Sequence, residues 1–301
     1  MSATALQLIQ QATGEMGLSV PTTAVGNSNQ DVIQILALLN AVGYELTREY
    51  QWQATSKLNL FQTNYVTTTG TVTNGSPIIT GIPTTAALST QFQAIGNGIL
   101  QNAQIVSVDS LTQVTLNQNC TSSATGETIT FGQTQYSMPA DYDRQIDRTH
   151  WDKTQHWRMS GPMTAQQWEW LTSGFITSGP MVRYRIFGSF FQIWPPQNTQ
   201  HYLGFEYVST YWAATTAGVA KGSFTVDTDT CIFPDRLMVL GLKDKYYQAK
   251  GLGSTYTNDY MAHKSITFAN DAGSQTLNMN PQPGEILITT NQLPDTGYGL
   301  P

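Results

Sequence analysis

The stretch from Leu58 to Ser137 contains only two charged side chains, Asp109 and Glu127, whereas Met138 to Thr210 contains twelve. A surface helix needs a polar, usually charged face opposite its apolar stripe, and this stretch cannot supply one. It reads instead TTTGTVTNGSPIITGI, GNGIL, AQIVSVDS, QVTLNQ and GETITF. These are short, alternating, β-branched runs separated by Asn-Gly, Gly-Asn-Gly, Asp-Ser and Ser-rich turn signals. The expectation is an all-β module, a small sandwich or barrel of about five strands, spliced in over residues 57–137. An insertion of this kind is tolerated where its two ends lie close together.

The flanks read differently. Leu6, Ile9, Thr13 and Met16 recur at helical spacing before Gly17. Ser28 followed by Asp31 resembles a capping box, after which Val32, Ile35, Leu36, Leu39, Gly43 and Leu46 trace one helix face. Beyond the module, PADYDRQIDRTHW carries Tyr142, Ile146 and Trp151 among charges. Thr164 and Gln167 form a second capping-box pattern. MVRYRIFG, FFQIWPP and HYLGFEYVST are strands; in the first, Val182, Tyr184 and Ile186 alternate with Arg183 and Arg185. Pro234 opens a helix that Gly251 ends, and another helix is expected from Asn258 to Asn270. The fold class expected from these signals is α+β. A helical core, residues 1–56 and 138–280, carries a small antiparallel β extension and the spliced-in module. Residues 281–301, with four prolines and three glycines, form an extended C-terminal arm. Ile286, Leu287, Ile288 and Leu293 make that arm too apolar for an idle linker, and GEILITT has the content of a strand that pairs with a partner's sheet edge.

Charge narrows the function. Charged residues are 11% of the chain, the net charge is −6 and the pI is about 5.1. Without a basic stripe, DNA is expected only as a passing, non-specific contact. A polar, uncharged surface suits a chain that ends up against other protein. The N-terminus lacks a basic leader, and no apolar run approaches the ~20 residues that cross a bilayer; no membrane contact is expected. Cys120 and Cys231 are single and far apart, as expected of buried thiols in a reducing cytosol.

The densest cluster of chemistry-bearing residues is DRTHWDKTQHWRMSGP, from Asp147 to Pro162. His150 and His156 are six apart, opposite faces of a helix, and no HExxH motif or second ligand cluster accompanies them. No metal, catalytic or cofactor site is expected. His150, Trp151 and Trp157 read as packing aromatics with polar edges, a structural joint between helices. Asp152 and Glu169 are two carboxylates that nothing in the sequence pairs. A nucleophile elbow, a phosphate loop and a dinucleotide fingerprint are all missing. Seven tryptophans could build a sugar platform, but they lie in helical or alternating patterns where core packing is the default.

The order of two helices, YSMPADYDRQIDRTHW, SGPMTAQQWEWL, RYRIFGSFFQIWPP, DTDTCIFPDRLMVLGL and an extended tail resembles the head-to-tail adaptors of short-tailed bacteriophages, the tail tubular protein A-like proteins. The resemblance covers residues 1–56 and 138 to about 280; the middle module departs from it and looks like a β domain spliced into many virion proteins. It implies a virion protein assembled in the host cytoplasm, with no enzymatic role. The partners implied are further copies in a homo-oligomeric ring, usually of twelve, the portal protein reached by the arm, and the tail nozzle or fibres met by the β parts. Its work would be to guide DNA exit and help retain packaged DNA. The rival reading is a tail-associated glycan-binding or envelope-degrading protein, which needs converging acids or an exposed aromatic groove.

Overall fold

The structure, a computed structural model, describes residues 2–173, 181–253 and 255–272. Helix α1 (Ala5–Glu15) is capped by Thr4: its hydroxyl accepts the Gln7 N–H and the Gln7 side chain accepts the Thr4 N–H, satisfying two donors that a helix start leaves open. Helix α2 (Gln30–Glu49) is capped by Asn29 rather than by Ser28, through an Asp31 N–H to Asn29 Oδ1 bond of 2.9 Å. Strand β1 (Ser56–Gln62) follows.

The uncharged stretch then folds as β2 (Tyr65–Val72), β3 (Ile78–Ile79), β4 (Phe92–Ile95), β5 (Ala103–Ser110), β6 (Gln113–Leu116) and β7 (Ala124–Gln133). They pair in the order β2-β7-β4-β5-β6-β3. Thr71 and Thr80 exchange backbone hydrogen bonds that return β3 to β2. The six strands therefore curl into a nearly closed barrel, which leaves few exposed edges. Ile79, Ile105, Val114, Ile129 and Phe131 fill it. The strands of this barrel lie within residues 65–133, inside the expected 57–137, because β1 and the strand after β7 pair elsewhere.

Those other sheets are built by β8 (Gln135–Ser137), β9 (Tyr142–Gln145), β10 (Trp151–Asp152), β11 (Trp157–Arg158), helix α3 (Ala165–Thr172), β12 (Arg183–Phe187), β13 (Phe190–Trp194) and β14 (Tyr202–Ser209). A five-stranded antiparallel sheet runs β1-β14-β10-β11 with β9 also on β14, and a three-stranded one runs β12-β13-β8. Between them lie Tyr184, Phe191, Leu203, Phe205 and Tyr207. A last small sheet joins β15 (Ala213–Ala214), β16 (Ala220–Lys221) and β17 (Thr230–Cys231). Helix α4 (Asp235–Ala249) ends before Gly251 at φ +70°, and α5 (Thr257–Ala272) is the last described element. α1, α2, α4 and α5 share a core of Leu8, Ile9, Ile35, Leu39, Leu46, Leu237 and Leu242, closed by Trp212 and Tyr260.

The expected helical core with a small β extension is overturned. Strands take 31% of the described residues and helices 27%, in several antiparallel sheets. Helices α1, α2, α4 and α5 share one of four separate apolar clusters, and α3 packs Trp168 and Leu171 against Trp194 in another. The misreading lies in 139–158, where β9, β10 and β11 are strands of two to four residues, too short to show a period of their own. Its charges pair across the chain rather than along a helix: Asp143 takes Arg48 from α2 at 2.9 Å, besides its neighbour Arg144 at 2.6 Å. The phrase DTDTCIFPD is likewise a staple. Asp227 accepts the N–H groups of Ala24 and Val25, Asp229 those of Thr225 and Val226 and the Lys221 ammonium, and Asp235 that of Ala3. Residues 281–301, with Ile286, Leu287, Ile288 and Leu293, lie outside the described residues.

Candidate functional site: a groove beside the barrel

His150, Trp151 and Trp157 do not form a joint between helices. They sit on or beside the β10–β11 hairpin, whose turn ends at His156 with φ +57°. The chain reverses there, so His150 and His156 part company. His156 is exposed in the turn, while His150 is 1% exposed inside the β core. Its ring stacks 4.2 Å from Tyr184 and 5.2 Å from Phe205. Neither ring nitrogen has a hydrogen-bond partner among the described residues. Burial pushes its pKa down to about 4, because the charged form has lost its water. Trp151 is half-buried opposite Gly204 of β14, and Trp157 is 42% exposed.

The neighbour of Trp151 does have a polar partner, one that no nearby motif announces. Asp152 is buried, with Oδ1 accepting the N–H groups of Thr154 (2.9 Å) and Gln155 (3.1 Å). Its Oδ2 lies 2.5 Å from Nδ1 of buried His201. A carboxylate only accepts, which places a proton on Nδ1, and Nε2 shares a hydrogen bond of 2.9 Å with the Thr199 hydroxyl. Carboxylate, imidazole and hydroxyl stand in the order that, in hydrolases, activates a nucleophile. Here the line ties β10 to the β13–β14 connection and holds exposed Thr199 in place. Asp152 is thereby committed to His201, and Glu169 stands exposed on α3. His201 lies 49 residues from Asp152, and no local pattern in NTQHY marks it.

Thr199 and His201 belong to the wall of a groove of about 650 Å³. One side is the end of β4 and the β4–β5 turn, Gln93 to Asn102; the other is the β13–β14 connection, Trp194 to His201, and Gln155 and Trp157 complete the lining. Barrel and β core approach closely here because Gly132 on β7 has no side chain. A Cβ there would meet the Gln197 carbonyl at 2.7 Å and Pro196 at 2.9 Å. Asn102 turns the β4–β5 loop at φ +63°, a conformation Asn tolerates, and its Oδ1 accepts from Gln93 Nε2 at 2.9 Å. Among the described residues no Asp, Glu, Lys or Arg lines the groove. A smaller cleft of about 180 Å³ shares Gln93 and Asn102 and is lined by Trp168, Glu169 and Arg185.

Among the described residues no group of three or more His, Cys, Asp or Glu is placed to hold a metal. Both cysteines are buried, and burial raises both thiols, Cys231 to about 12. No described helix is long and apolar enough to cross a membrane. No protein-family profile matches the chain, and no curated protein matches it at a significant level.

Proposed function

We propose that the chain is a structural virion protein, the subunit of a homo-oligomeric ring that adapts the portal of a short-tailed phage to its tail nozzle. The observation that carries this reading is the outer face of the five-stranded sheet. β1 pairs with β14 alone among the described strands, and no described residue covers its other backbone edge. On the face turned away from the β core, Leu58 (54% exposed), Leu60 and Tyr202 are exposed, with Glu206 opposite Leu58 and the Lys153 stem lying beside Leu60 over Gly204. An open sheet edge beside exposed leucines is a liability for a lone molecule, and a neighbouring copy in a ring removes it by a heterologous contact that closes on itself. The low charge and the order of the adaptor-like phrases point the same way, and an uncharged lining lets DNA pass without sticking.

Mass measurement of the purified protein, alone and with portal protein, tests this. A closed ring of about twelve copies is expected, and the double variant Leu58→Asp, Leu60→Asp should be a folded, smaller species. A wild-type protein that stays monomeric, and remains so with portal present, would reverse the conclusion. The groove beside the barrel favours a second role, glycan binding on the tail, which the ring does not exclude.

A further inference from the structure

We propose that the groove between the β4–β5 turn and the β13–β14 connection binds a neutral saccharide. Its chemistry selects the ligand class. Among the described residues six amides line it, Gln93, Gln101, Asn102, Gln155, Gln197 and Asn198, and no side chain with a full charge does. An amide carries a donor and an acceptor side by side, the complement of adjacent sugar hydroxyls. Gln93 Nε2 and Asn102 Oδ1 bond each other and Gln197 Nε2 bonds the Pro195 carbonyl, so Gln101, Gln155 and Asn198 are the amides that offer both. A phosphate, carboxylate or ammonium ligand would leave its hydration shell and find no counter-charge.

The apolar component fits the same class. Trp157 lines the groove and is 42% exposed, and an indole face accepts the C–H face of a pyranose ring as it accepts other apolar edges. The wall is also incompletely satisfied. Trp194 Nε1 and Gln93 Oε1 are buried without a hydrogen-bond partner among the described residues, a state that native folds rarely leave unanswered. At the rim the Asp152–His201 pair fixes the Thr199 hydroxyl, so one polar contact is pre-oriented and loses little freedom on binding. The volume, about 650 Å³, lies within the range of small-molecule sites.

The experiment uses the full chain in whatever oligomeric state it adopts, so failure of the ring proposal leaves this test intact. Tryptophan fluorescence and calorimetry would follow titration with neutral oligosaccharides built on glucose, galactose and N-acetylglucosamine, with galacturonate oligomers as the charged control. Saturable binding of a neutral member, with Kd of about 10 µM to 1 mM, is expected. Trp157→Ala should weaken it tenfold or more while circular dichroism stays unchanged, because the side chain is exposed. Thr199→Val, which keeps the shape and removes the hydroxyl, should weaken it severalfold. The proposal is overturned if no neutral member binds below about 10 mM, if the charged control binds more tightly, or if Trp157→Ala binds as well as the wild type. Occupation by a protein segment is the reading the first of these outcomes would favour.

Discussion

His150 shows how a residue of catalytic type can serve packing. Its ring lies parallel to those of Tyr184, Phe191 and Phe205, within 13° of each, and neither nitrogen is partnered among the described residues. The fold therefore holds the neutral form, with a pKa of about 4 against an ordinary 6.5. Between those values the unfolded chain binds a proton that the folded chain refuses. The contribution of His150 to stability is thus whole above pH 6.5 and declines as pH falls to about 4, by at most about 3 kcal/mol. Urea unfolding of wild type and His150→Phe across pH 7 to 4 should show the wild type losing stability faster. Parallel curves would mean that the imidazole is not buried uncharged. Glu15 behaves in the opposite sense: burial raises its pKa, but hydrogen bonds from Lys243 (2.7 Å) and Arg236 (2.6 Å) outweigh that and hold it at about 2. Asp141 belongs to the same kind. Burial opposes its charge, yet Lys57, Ser209 and Tyr207 donate to it and lower its pKa, fastening β1, β14 and the segment before β9.

At the scale of elements, close approach decides which residues are replaceable. Gly43 sits mid-helix, where glycine costs about 1 kcal/mol of propensity against alanine. It is there because the Trp212 indole lies across α2, and an added Cβ would stand 2.4 Å from ring carbons. Trp212 cannot retreat: it is 1% exposed and packed by Phe224 at 4.9 Å and Phe233 at 6.0 Å. The clash should outweigh the propensity gain, and Gly43→Ala should lower stability by about 1–3 kcal/mol in denaturant unfolding. A gain in stability would show that the indole shifts freely. Gly241 on α4 repeats the device, 2.8 Å from Val42 and 3.0 Å from Tyr260. Gly43 was legible as part of a helix face but not as the seat of an indole 169 positions away, because the contact belongs to the packed pair and not to either segment.

At the scale of the whole molecule, the barrel is a unit whose ends meet, since Tyr65 pairs with Gly132 across β2 and β7. Replacing residues 66–131 with a short Gly-Ser link should leave the helical circular dichroism and a cooperative thermal transition, while abolishing saccharide binding because Gln93 to Asn102 leave with it. Loss of soluble protein on excision would show that the barrel supports the rest. The chain's own residues settled what depends on neighbours in sequence: the cap at Thr164, the helix between Pro234 and Gly251, and the alternation of Val182, Tyr184 and Ile186. Capping geometry and side-chain period act over a few residues, so they can be read locally. Tertiary structure alone decided that β9, β10 and β11 are strands, that Asp152 meets His201, and that six scattered amides and Trp157 line one groove. A strand of two residues has no period and takes its identity from the strand it pairs with. The groove exists only where two separately cored bodies touch, at Gly132 against Pro196 and Gln197, and no stretch of sequence contains that boundary.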